Sequence, residues 1–289
     1  MSRGVLAVVG DLVEYVVVWP EGPVEHGTDT PARVFRSRGG SAANVAVAAA
    51  PYVATRFLGC VGADPLGDRL VAELGRAGVD VRAQRRGRTG TVVVLVDVDG
   101  ERTFLPDRAA AADLATLEDA DLQDVAVLHV PAYGLHGGST AATVRETVLQ
   151  AGRFAVSLDA SSAAVLRAIG VDDFLALVRR VRPLVLFANA DEARELGLGR
   201  CSGTTVVLKD GADPTTVLLP DGGVLTVPVE PVHGVRDSTG AGDAFAAGWL
   251  SARMEGLDDA ARVLRAHALA RQVLAFPGAG APTAFEESV

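Results

Sequence analysis

Asp237-Ser-Thr-Gly-Ala-Gly-Asp243-Ala-Phe245 leads directly into an apolar stretch with helical spacing that continues to Leu250. Gly240 and Gly242 lack Cβ atoms, so the backbone can turn sharply here and present its N–H groups. The first N–H groups of a helix have no intrahelical partners, and this end of a helix attracts anions. An aspartate repels a bound phosphate, but it can take a proton from a hydroxyl group that attacks the phosphate. The segment therefore predicts phosphoryl transfer at the start of a helix, with Asp243 as the base.

A second glycine-rich segment, Gly39-Gly-Ser-Ala-Ala-Asn44, opens a stretch of small residues. The two segments resemble the N-terminal and C-terminal signatures of the ribokinase-like (PfkB) family of carbohydrate kinases, in the family's order. The segment from Asp237 to Phe245 matches every position of the C-terminal pattern D-[ST]-[ST]-G-A-G-D-x-F. The resemblance covers nearly the whole chain, and the single domain that it implies takes in residues 1–289. It implies one ribokinase-like α/β domain, with a mainly parallel sheet flanked by helices on both faces and a small β-sheet lid.

Composition narrows the class of protein. A chain of 289 residues, 49% hydrophobic and 22% charged, is long enough for one large α/β domain. The net charge of −9 argues against nucleic acid or an anionic membrane as the main partner, because both require clustered cations. Cys60 and Cys201 are too few for a disulfide framework, which indicates reduced thiols in a cytoplasmic protein. The N-terminal apolar run is interrupted by Asp11 and Glu14, so we expect strand rather than a signal peptide or a membrane span.

Short apolar strands alternate with helical segments along most of the chain, a rhythm typical of a parallel sheet with helices on both faces. The predicted strands are Val5–Val9, Phe57–Val61, Val125–Val130, Phe154–Leu158, Leu184–Ala188, Thr205–Leu208, Val217–Leu219 and Val224–Val227. The predicted helices are 41–51, Leu66–Ala77, Ser139–Ala151, Ser161–Ile169, Asp172–Val181, Ala190–Leu196, Asp243–Met254 and Asp258–Phe276.

Four further strands do not alternate with helices and predict a separate small sheet, inserted over approximately 12–37 and 89–106. They are Val13–Trp19, Ala32–Arg36, Thr91–Val96 and Arg102–Leu105, with a hairpin turn at Asp99-Gly100. The resemblance implies that this sheet is a lid over the substrate and the interface of a homodimer. A surface hairpin without a gating role is the alternative.

The resemblance makes Asp243 the general base and gives the backbone of Gly240, Ala241 and Gly242 the stabilisation of the transferred charge. Taken alone, an aspartate at a helix start is more often a cap.

On the acceptor side, the resemblance implies that the backbone of Gly39 and Gly40 reaches substrate hydroxyls and that Asn44 hydrogen-bonds them. An amide suits this contact because it both donates and accepts. Composition alone favours a plain turn for the two glycines, with Asn44 as a local backbone partner.

The nucleotide side is expected at three places. Asn189-Ala-Asp-Glu192 matches the family's Asn-x-x-Glu motif, which is associated with Mg²⁺ and phosphate placement through water, although ordinary capping also explains it. Lys209-Asp-Gly211 resembles the loop that approaches ATP; a surface position and a phosphate contact both stay open for Lys209, the only lysine. Asp237 is a candidate ligand for a monovalent cation such as K⁺, or a turn cap.

The chain departs from the family at the end of the first strand, where relatives carry Gly-x-x-x-x-Asp. Gly10-Asp-Leu-Val-Glu14-Tyr15 places a tyrosine at the position that binds sugar hydroxyls. A phenol can donate one hydrogen bond and stack on a ring, but it is not a bidentate acceptor. Glu14 should point to the opposite face of a strand. Either Tyr15 recognises an unusual or ring-bearing substrate, or Glu14 or Asp11 takes over the contact.

Three hypotheses follow. The first is an ATP- and Mg²⁺-dependent kinase that phosphorylates a hydroxyl of a small sugar or sugar derivative. The second is a nucleoside kinase of the same fold, and the third is a non-catalytic sugar- or nucleotide-binding regulator. The intact Gly240–Asp243 segment weighs against the third, because a binding protein has no need of a base beside its anion site.

Overall fold

A computed structural model describes residues 4–97, 102–150, 152–199, 203–232 and 238–274. The predicted turn at Asp99-Gly100, Cys201 and the candidate cation ligand Asp237 lie outside the described residues. Among the residues that the structure does describe, no helix is sufficiently long and apolar to span a bilayer.

A nine-stranded sheet forms the centre of the fold, in the order β13-β12-β11-β10-β9-β8-β1-β4-β5. Neighbouring strands from β11 to β5 pair in parallel, and β12 and β13 add two antiparallel strands at one edge. The central strands are apolar and almost wholly buried, as expected for a sheet covered on both faces. The strands are β1 Val5–Val9, β4 Thr55–Val61, β5 Asp80–Arg85, β8 Val125–Pro131, β9 Ala155–Asp159, β10 Val185–Asn189, β11 Thr205–Asp210, β12 Asp213–Leu218 and β13 Val224–Val227.

Helices cover both faces of this sheet, as the sequence predicts. One apolar cluster packs α1, α2, α7 and α8 on one face, and a second packs α3 to α6 on the other. The helices are α1 Ser41–Ala49, α2 Pro65–Arg76, α3 Gly138–Val148, α4 Ala163–Ile169, α5 Val171–Val181, α6 Ala190–Leu196, α7 Ala241–Met254 and α8 Asp259–Leu274. Short 3₁₀ turns cover Ala109–Ala112 and Ala132–Leu135.

A four-stranded small sheet stands apart from the large one, in the order β3-β2-β6-β7. Its strands are β2 Val13–Pro20, β3 Ala32–Gly39, β6 Thr91–Val96 and β7 Arg102–Asp107. Pairing is antiparallel except between β2 and β6, which run parallel. The predicted second sheet is therefore present, and β3 continues past the predicted end to Gly39, directly before α1.

The strand β5 is absent from the sequence prediction. Its sequence, Asp80-Val-Arg-Ala-Gln-Arg85, alternates only weakly, and none of its residues belongs to the fully buried core. It forms at the sheet edge because it pairs along its length with β4. Tertiary pairing, rather than an apolar run of its own, makes this segment a strand.

The topology brings the candidates Asn189 and Lys209, together with Asp159, to one edge of the large sheet. Asp159, Asn189 and Lys209 lie at or next to the carboxyl ends of β9, β10 and β11. Helices α1 and α7 begin at the same edge, and their small residues pack in the same cluster. The carboxyl edge of a parallel sheet is where α/β proteins bind their ligands.

Candidate active site

Asp243 lies in the first turn of α7, and two residues of α1 hold its carboxylate. Ser41 Oγ donates a hydrogen bond to Asp243 Oδ1 at 2.6 Å, and Asn44 Nδ2 donates to Oδ2 at 2.8 Å. Burial raises the pKa of Asp243 to about 6, although these two hydrogen bonds lower it. The negative charge of Asp159 raises this pKa further, and the positive charge of Lys209 lowers it. A carboxyl group with a pKa near 6 is a suitable base at neutral pH.

Asn44 contacts charged groups at both ends of its amide. Its Oδ1 accepts a hydrogen bond of 2.6 Å from Arg38 Nη1, while its Nδ2 donates to Asp243. The side chain is buried, with 5% exposed. The predicted contact between Asn44 and a substrate hydroxyl stays a prediction. The structure shows that the same amide orients Asp243.

Gly39 and Gly40 allow the start of α1 to approach β2 closely. A Cβ at Gly39 would lie 2.2 Å from the ring of Tyr15, and one at Gly40 would lie 2.2 Å from the carbonyl oxygen of Asp11. Gly40 also has φ of 100°, which favours glycine. Burial, and next the charge of Asp243, raise the pKa of the Tyr15 phenol. Tyr15 thus lies against the Gly39-Gly40 backbone, within electrostatic reach of Asp243, where sequence reasoning expects the acceptor substrate.

The two carboxylates that could replace the missing aspartate at position 15 have different environments. Arg108 Nε and Nη2 both donate to Asp11 at 2.7 Å, so Asp11 is held by a two-bond fork. Glu14 points to the opposite face, as predicted, where it forms ion pairs with Arg36 and Arg69 at 2.6 Å each. Glu14 is therefore engaged away from Tyr15, and the suggestion that it takes over the sugar contact is not supported by this geometry.

Lys209 lies in a mostly buried pocket of mixed charge and aromatic rings. Its Nζ is 3.0 Å from Asp159 Oδ2, and the two side chains are 16% and 10% exposed. The ammonium also lies 5.7 Å from the ring centre of Phe187 and 5.9 Å from that of Phe245. Burial alone would lower the pKa of Lys209, yet the nearby carboxylates outweigh it and raise the pKa above its ordinary value. Lys209 is therefore a permanent cation in the interior, and the surface position left open for it is wrong.

Asn189 and Glu192 form a reciprocal cap at the start of α6. Glu192 Oε2 accepts from the Asn189 backbone N–H and Oε1 from Asn189 Nδ2, while the Glu192 N–H donates to Asn189 Oδ1, all at 2.8 Å. Glu192 is only 2% exposed, and burial, followed by repulsion from Asp159, raises its pKa to about 7. The capping interpretation is thus confirmed.

Asn189 and Glu192 also offer hard oxygen donors, which are the ligands that Mg²⁺ prefers. Mg²⁺ usually binds few protein ligands and keeps several waters. The described residues contain no group of three or more His, Cys, Asp or Glu side chains that could by itself hold a metal. Glu192 and Asp159 therefore fit an ion held mainly through water and phosphate oxygens, rather than one in a protein cage.

The loop before Asp243 adopts the conformation expected of an anion-binding helix start. Gly240 is left-handed, with φ of 81°, and its carbonyl accepts from the Ala244 N–H. The Ala241 N–H donates to the Ser238 carbonyl at 3.2 Å, which closes the turn. This N–H is therefore engaged within the turn, in contrast to the predicted role of the Ala241 backbone in stabilising the transferred charge. A Cβ at Gly242 would lie 3.5 Å from Lys209 Nζ. The predicted phosphate loop and the buried lysine are therefore neighbours.

The small sheet contacts this loop directly. Arg102 of β7 donates hydrogen bonds to the hydroxyl groups of Ser238 and Thr239, immediately before Gly240. On the same strand, Phe104 packs edge-to-face against Tyr15, with ring centres 6.3 Å apart. The face of the small sheet that carries Tyr15 and Phe104 therefore faces the site.

The sequence profile of the pfkB family carbohydrate kinases matches residues 5–285. The chain belongs to this family. It is a carbohydrate kinase of the ribokinase-like fold, and the two signatures from which the sequence analysis recognised it are the segments that meet at Asp243.

Named sugar kinases show extended sequence similarity to this chain. A fructokinase from Klebsiella pneumoniae is 32% identical over 275 residues, which cover 86% of this chain and 84% of that protein. An ATP-dependent ribose-1-phosphate kinase from Halopiger xanaduensis is 33% identical over 230 residues, 75% of this chain and 73% of that protein.

Solved structures confirm the fold of this carbohydrate kinase. The adenosine kinase from Sinorhizobium meliloti superposes with a TM-score of 0.85 at 18% identity, covering 98% of this chain and 97% of that one. A sugar kinase from Pyrococcus horikoshii, solved in complex with ATP, gives 0.81 at 21% identity, covering 95% and 93%. At these identities the similarity concerns the fold, and the substrate has to be argued from the site.

Some of the residues that build this pfkB site could not be recognised from the sequence alone. Ser41, Asp159, Arg38, Arg108 and Tyr133 were not assigned a role. Tyr133 lies in the 3₁₀ turn after β8 and is 38% exposed as a whole residue. Burial of its phenol raises its pKa, and nearby carboxylates raise it further. Asp159 could have been found, because it directly follows the predicted buried strand Phe154–Leu158 and is the last residue of the observed β9. Gly211, by contrast, lies in the exposed turn between β11 and β12, and its contact with ATP stays a prediction.

Proposed function

We propose that this carbohydrate kinase transfers the γ-phosphoryl group of ATP to a hydroxyl group of a small sugar or sugar derivative, with Asp243 as the general base. The observation that carries the proposal is the Asp243 carboxylate, oriented by Ser41 and Asn44 at the start of α7, with its pKa raised to about 6.

In the proposed reaction, the acceptor hydroxyl lies between Asp243 and the backbone of Gly39 and Gly40. Asp243 accepts the hydroxyl proton as the oxygen forms its bond to the γ-phosphorus, and the bond from that phosphorus to the β,γ-bridging oxygen breaks to release ADP. The first-turn amides of α7 at Gly242 and Asp243 lie at the dipole's positive end and stabilise charge on the transferred group.

Lys209 supplies the cation on the nucleotide side. It is fixed by Asp159, neighbours Gly242 and stays protonated, so it can attract phosphate oxygens without giving up its proton. Mg²⁺, bound with ATP, would neutralise phosphate charge, with Glu192 and Asp159 as the residues that hold its water shell. The proposed roles of Asp237 in K⁺ binding and of Gly211 in nucleotide binding rest on the family resemblance alone.

The small sheet is proposed to exclude water from the site, because water would otherwise accept the phosphoryl group. The contacts of Arg102 with Ser238 and Thr239, and of Phe104 with Tyr15, support this role.

The homodimer through this sheet stays a prediction, as does the cytoplasmic location. The opposite face of the sheet carries exposed Val34 and Leu105, and light scattering of the Leu105→Glu variant would test whether two copies meet there.

A nucleoside is the second candidate acceptor, favoured by one observation. Tyr15 and Phe104 put aromatic rings on the inner face of the small sheet, and Phe104 is 44% exposed. Such rings stack on a base as well as on a sugar. The sugar remains the first candidate, because the related fructokinase and ribose-1-phosphate kinase are 32% and 33% identical over most of the chain.

The test is ADP release from ATP and Mg²⁺ with a panel of free sugars, sugar phosphates, sugar acids and nucleosides. Turnover with sugars, and its loss in Asp243→Asn, is the expected result. Turnover confined to nucleosides would replace the first candidate with the second. Saturable binding of a panel member without turnover under any condition would favour the non-catalytic regulator.

A further inference from the structure

Arg38 lies one residue before the Gly39-Gly40 turn, at the point where β3 passes into α1. Its guanidinium donates to Asn44 Oδ1 at 2.6 Å, and the other end of the same amide donates to Asp243 Oδ2 at 2.8 Å. The result is a short chain of contacts, guanidinium to amide to carboxylate, that ends on the catalytic base.

The chemistry of the three groups permits only one orientation of the amide. A guanidinium only donates hydrogen bonds and an ionised carboxylate only accepts them, whereas an asparagine has one end of each kind. If the amide of Asn44 were rotated by half a turn, its NH₂ group would face Arg38 and its oxygen would face Asp243. Both contacts would then be repulsive. Arg38 therefore selects the orientation in which Asn44 donates to Asp243.

Arg38 also contributes to the charge around Asp243. Burial lowers the pKa of Arg38, while the charges of Glu73, Asp243 and Tyr15 raise it, so the guanidinium and the base attract one another. By reciprocity, the guanidinium favours the ionised form of Asp243. The other charged or titratable groups that face Asp243 are Asp159, which opposes ionisation, Lys209, which favours it, and the phenols of Tyr15 and Tyr133.

We infer that Arg38 is a positioning residue for the phosphoryl transfer, which acts through Asn44 to aim the carboxylate of Asp243 and to keep it ionised. This inference rests on the proposed role of Asp243 as the base. It assigns Arg38 no contact with substrate or nucleotide. It predicts that the two parts of its action, orientation and charge, can be separated by the choice of substitution and of pH.

Arg38→Met removes both the donor and the charge. We expect kcat at pH 7 to fall about 10-fold, which is less than the roughly 10²–10⁴-fold that a general base contributes, because the base is misplaced and not removed. The acid limb of the kcat/KM profile should also move to higher pH, because the carboxylate loses a neighbouring cation. KM for ATP should not change. Arg38→Lys keeps the charge and a donor and should restore the position of the acid limb.

Arg38→Gln is the second uncharged variant. Its amide nitrogen lies only where the Nε of Arg38 was, so it loses both the charge and the Nη1 contact with Asn44 while it stays polar. The acid limb should shift as in Arg38→Met. The separating measurement is kcat at pH 8.5, where the base is ionised in every variant, because a fall that remains there reports the lost orientation of Asn44 and not the lost charge. This variant also keeps the test open if Arg38→Met does not fold. Arg33→Gln, on the exposed part of the same strand, is the matched control and should leave the profile unchanged.

A double-mutant cycle with Asn44→Ala tests whether Arg38 orients Asp243 through Asn44. If Arg38 orients Asp243 through Asn44, Arg38→Met should add little to the loss of kcat in Asn44→Ala at pH 8.5, where the base is ionised with or without the guanidinium, whereas independent effects would multiply. An unshifted acid limb in both Arg38→Met and Arg38→Gln, or multiplicative losses in the cycle, would overturn the inference. Retained turnover in Asp243→Asn would instead overturn the proposed function beneath it, so the two failures are distinguishable.

Discussion

Ser41 Oγ lies 2.6 Å from Asp243 Oδ1, although the two residues are 202 positions apart in the chain. The contact joins the first turn of α1 to the first turn of α7, and it exists because small residues on both helices pack in one cluster. The Gly39-Gly40 turn at the proposed acceptor site and the glycine-containing loop at the proposed nucleotide site are thereby fixed relative to one carboxylate. A kinase needs this arrangement, since proton removal and phosphorus attack occur at the same hydroxyl oxygen.

The first prediction concerns the base itself. Asp243→Asn is expected to fold normally and to lose about 10²–10⁴-fold in kcat, because an amide does not accept the hydroxyl proton. Steady-state ADP release, together with the circular dichroism spectrum and the melting temperature, checks both parts. Asp172→Asn is the matched control, since Asp172 is an exposed first-turn carboxylate of α5. A near-wild-type rate in Asp243→Asn would remove the proposed base.

The second prediction concerns pH. Because burial raises the pKa of Asp243 to about 6, the carboxylate is ionised above pH 6 and protonated below it. We expect kcat/KM to fall about tenfold per pH unit as the pH drops below 6, since this ratio reports the pKa values of the free enzyme. Glu192, with a pKa raised to about 7, is the other carboxyl group that titrates nearby.

Glu192→Gln separates the two groups. The variant should turn over more slowly, because a residue proposed to hold Mg²⁺-bound water has lost its charge, yet it should keep the acid limb near pH 6. A limb that disappears in Glu192→Gln would assign the titration to Glu192 instead of Asp243.

Much of this fold can be predicted from the sequence, because the patterns that specify its strands and helices lie within short segments of the chain. Val5–Val9 and Leu184–Ala188 are continuous apolar runs, as expected of strands buried on both faces, and turn residues bound most of the helices. The edge strand Asp80–Arg85 could not be predicted, because it forms by pairing with β4 and has a polar sequence of its own.

The role of a residue in the candidate site could be predicted only where its type and its motif indicate the chemistry. Asp243 and Glu192 stand in recognisable motifs, and the structure places both among buried charges. Ser41, Arg38 and Asp159 are ordinary residues in the sequence, and only the folded contacts with Asp243, Asn44 and Lys209 show what they do. For Tyr15 the departure from the family was visible, but its close fit over Gly39 was not.

The third prediction concerns the buried lysine. Lys209→Met should leave Asp159 and Glu192 without their shared cation, which costs about 3 kcal/mol of unfolding free energy at pH 8. The pKa of Glu192, already raised to about 7, should rise further. A carboxyl group with a raised pKa in the folded state binds more protons there than when unfolded. The loss of stability should therefore be largest above pH 7 and smallest near pH 5.

Urea unfolding of Lys209→Met at pH 8 and pH 5.5 measures this difference. The double variant Lys209→Met/Asp159→Asn removes both members of the ion pair and should recover part of the loss at pH 8. A destabilisation that is the same at both pH values would show that Lys209 contributes through packing against Phe187 and Phe245 instead of through charge.

The fourth prediction concerns substrate choice. Tyr15→Asp introduces the carboxylate that the family resemblance leads us to expect at this position, and it should lower KM for sugars whose hydroxyls a carboxylate can bridge. Tyr15→Phe keeps the ring and removes the hydroxyl, so it separates a phenol hydrogen bond from ring stacking. The measurement is kcat/KM for both variants over the sugar and nucleoside panel. Unchanged specificity and KM in both would mean that Tyr15 does not touch the substrate.

The fifth prediction concerns the contact between Gly39 and Tyr15. A Cβ at position 39 would lie within 2.2–2.6 Å of three ring atoms of Tyr15, including Cγ, so the ring cannot turn aside without moving its own attachment point. Gly39→Ala should therefore cost about 1–3 kcal/mol, the usual penalty of overpacking. Gly75→Ala, a glycine of α2 with open space around it, is the matched control and should be neutral or stabilising. In Gly39→Ala/Tyr15→Ala the ring is absent, so the double variant should be no less stable than Tyr15→Ala alone. Urea unfolding of the four variants measures this coupling, and additive losses would show that the two residues are not in the contact described.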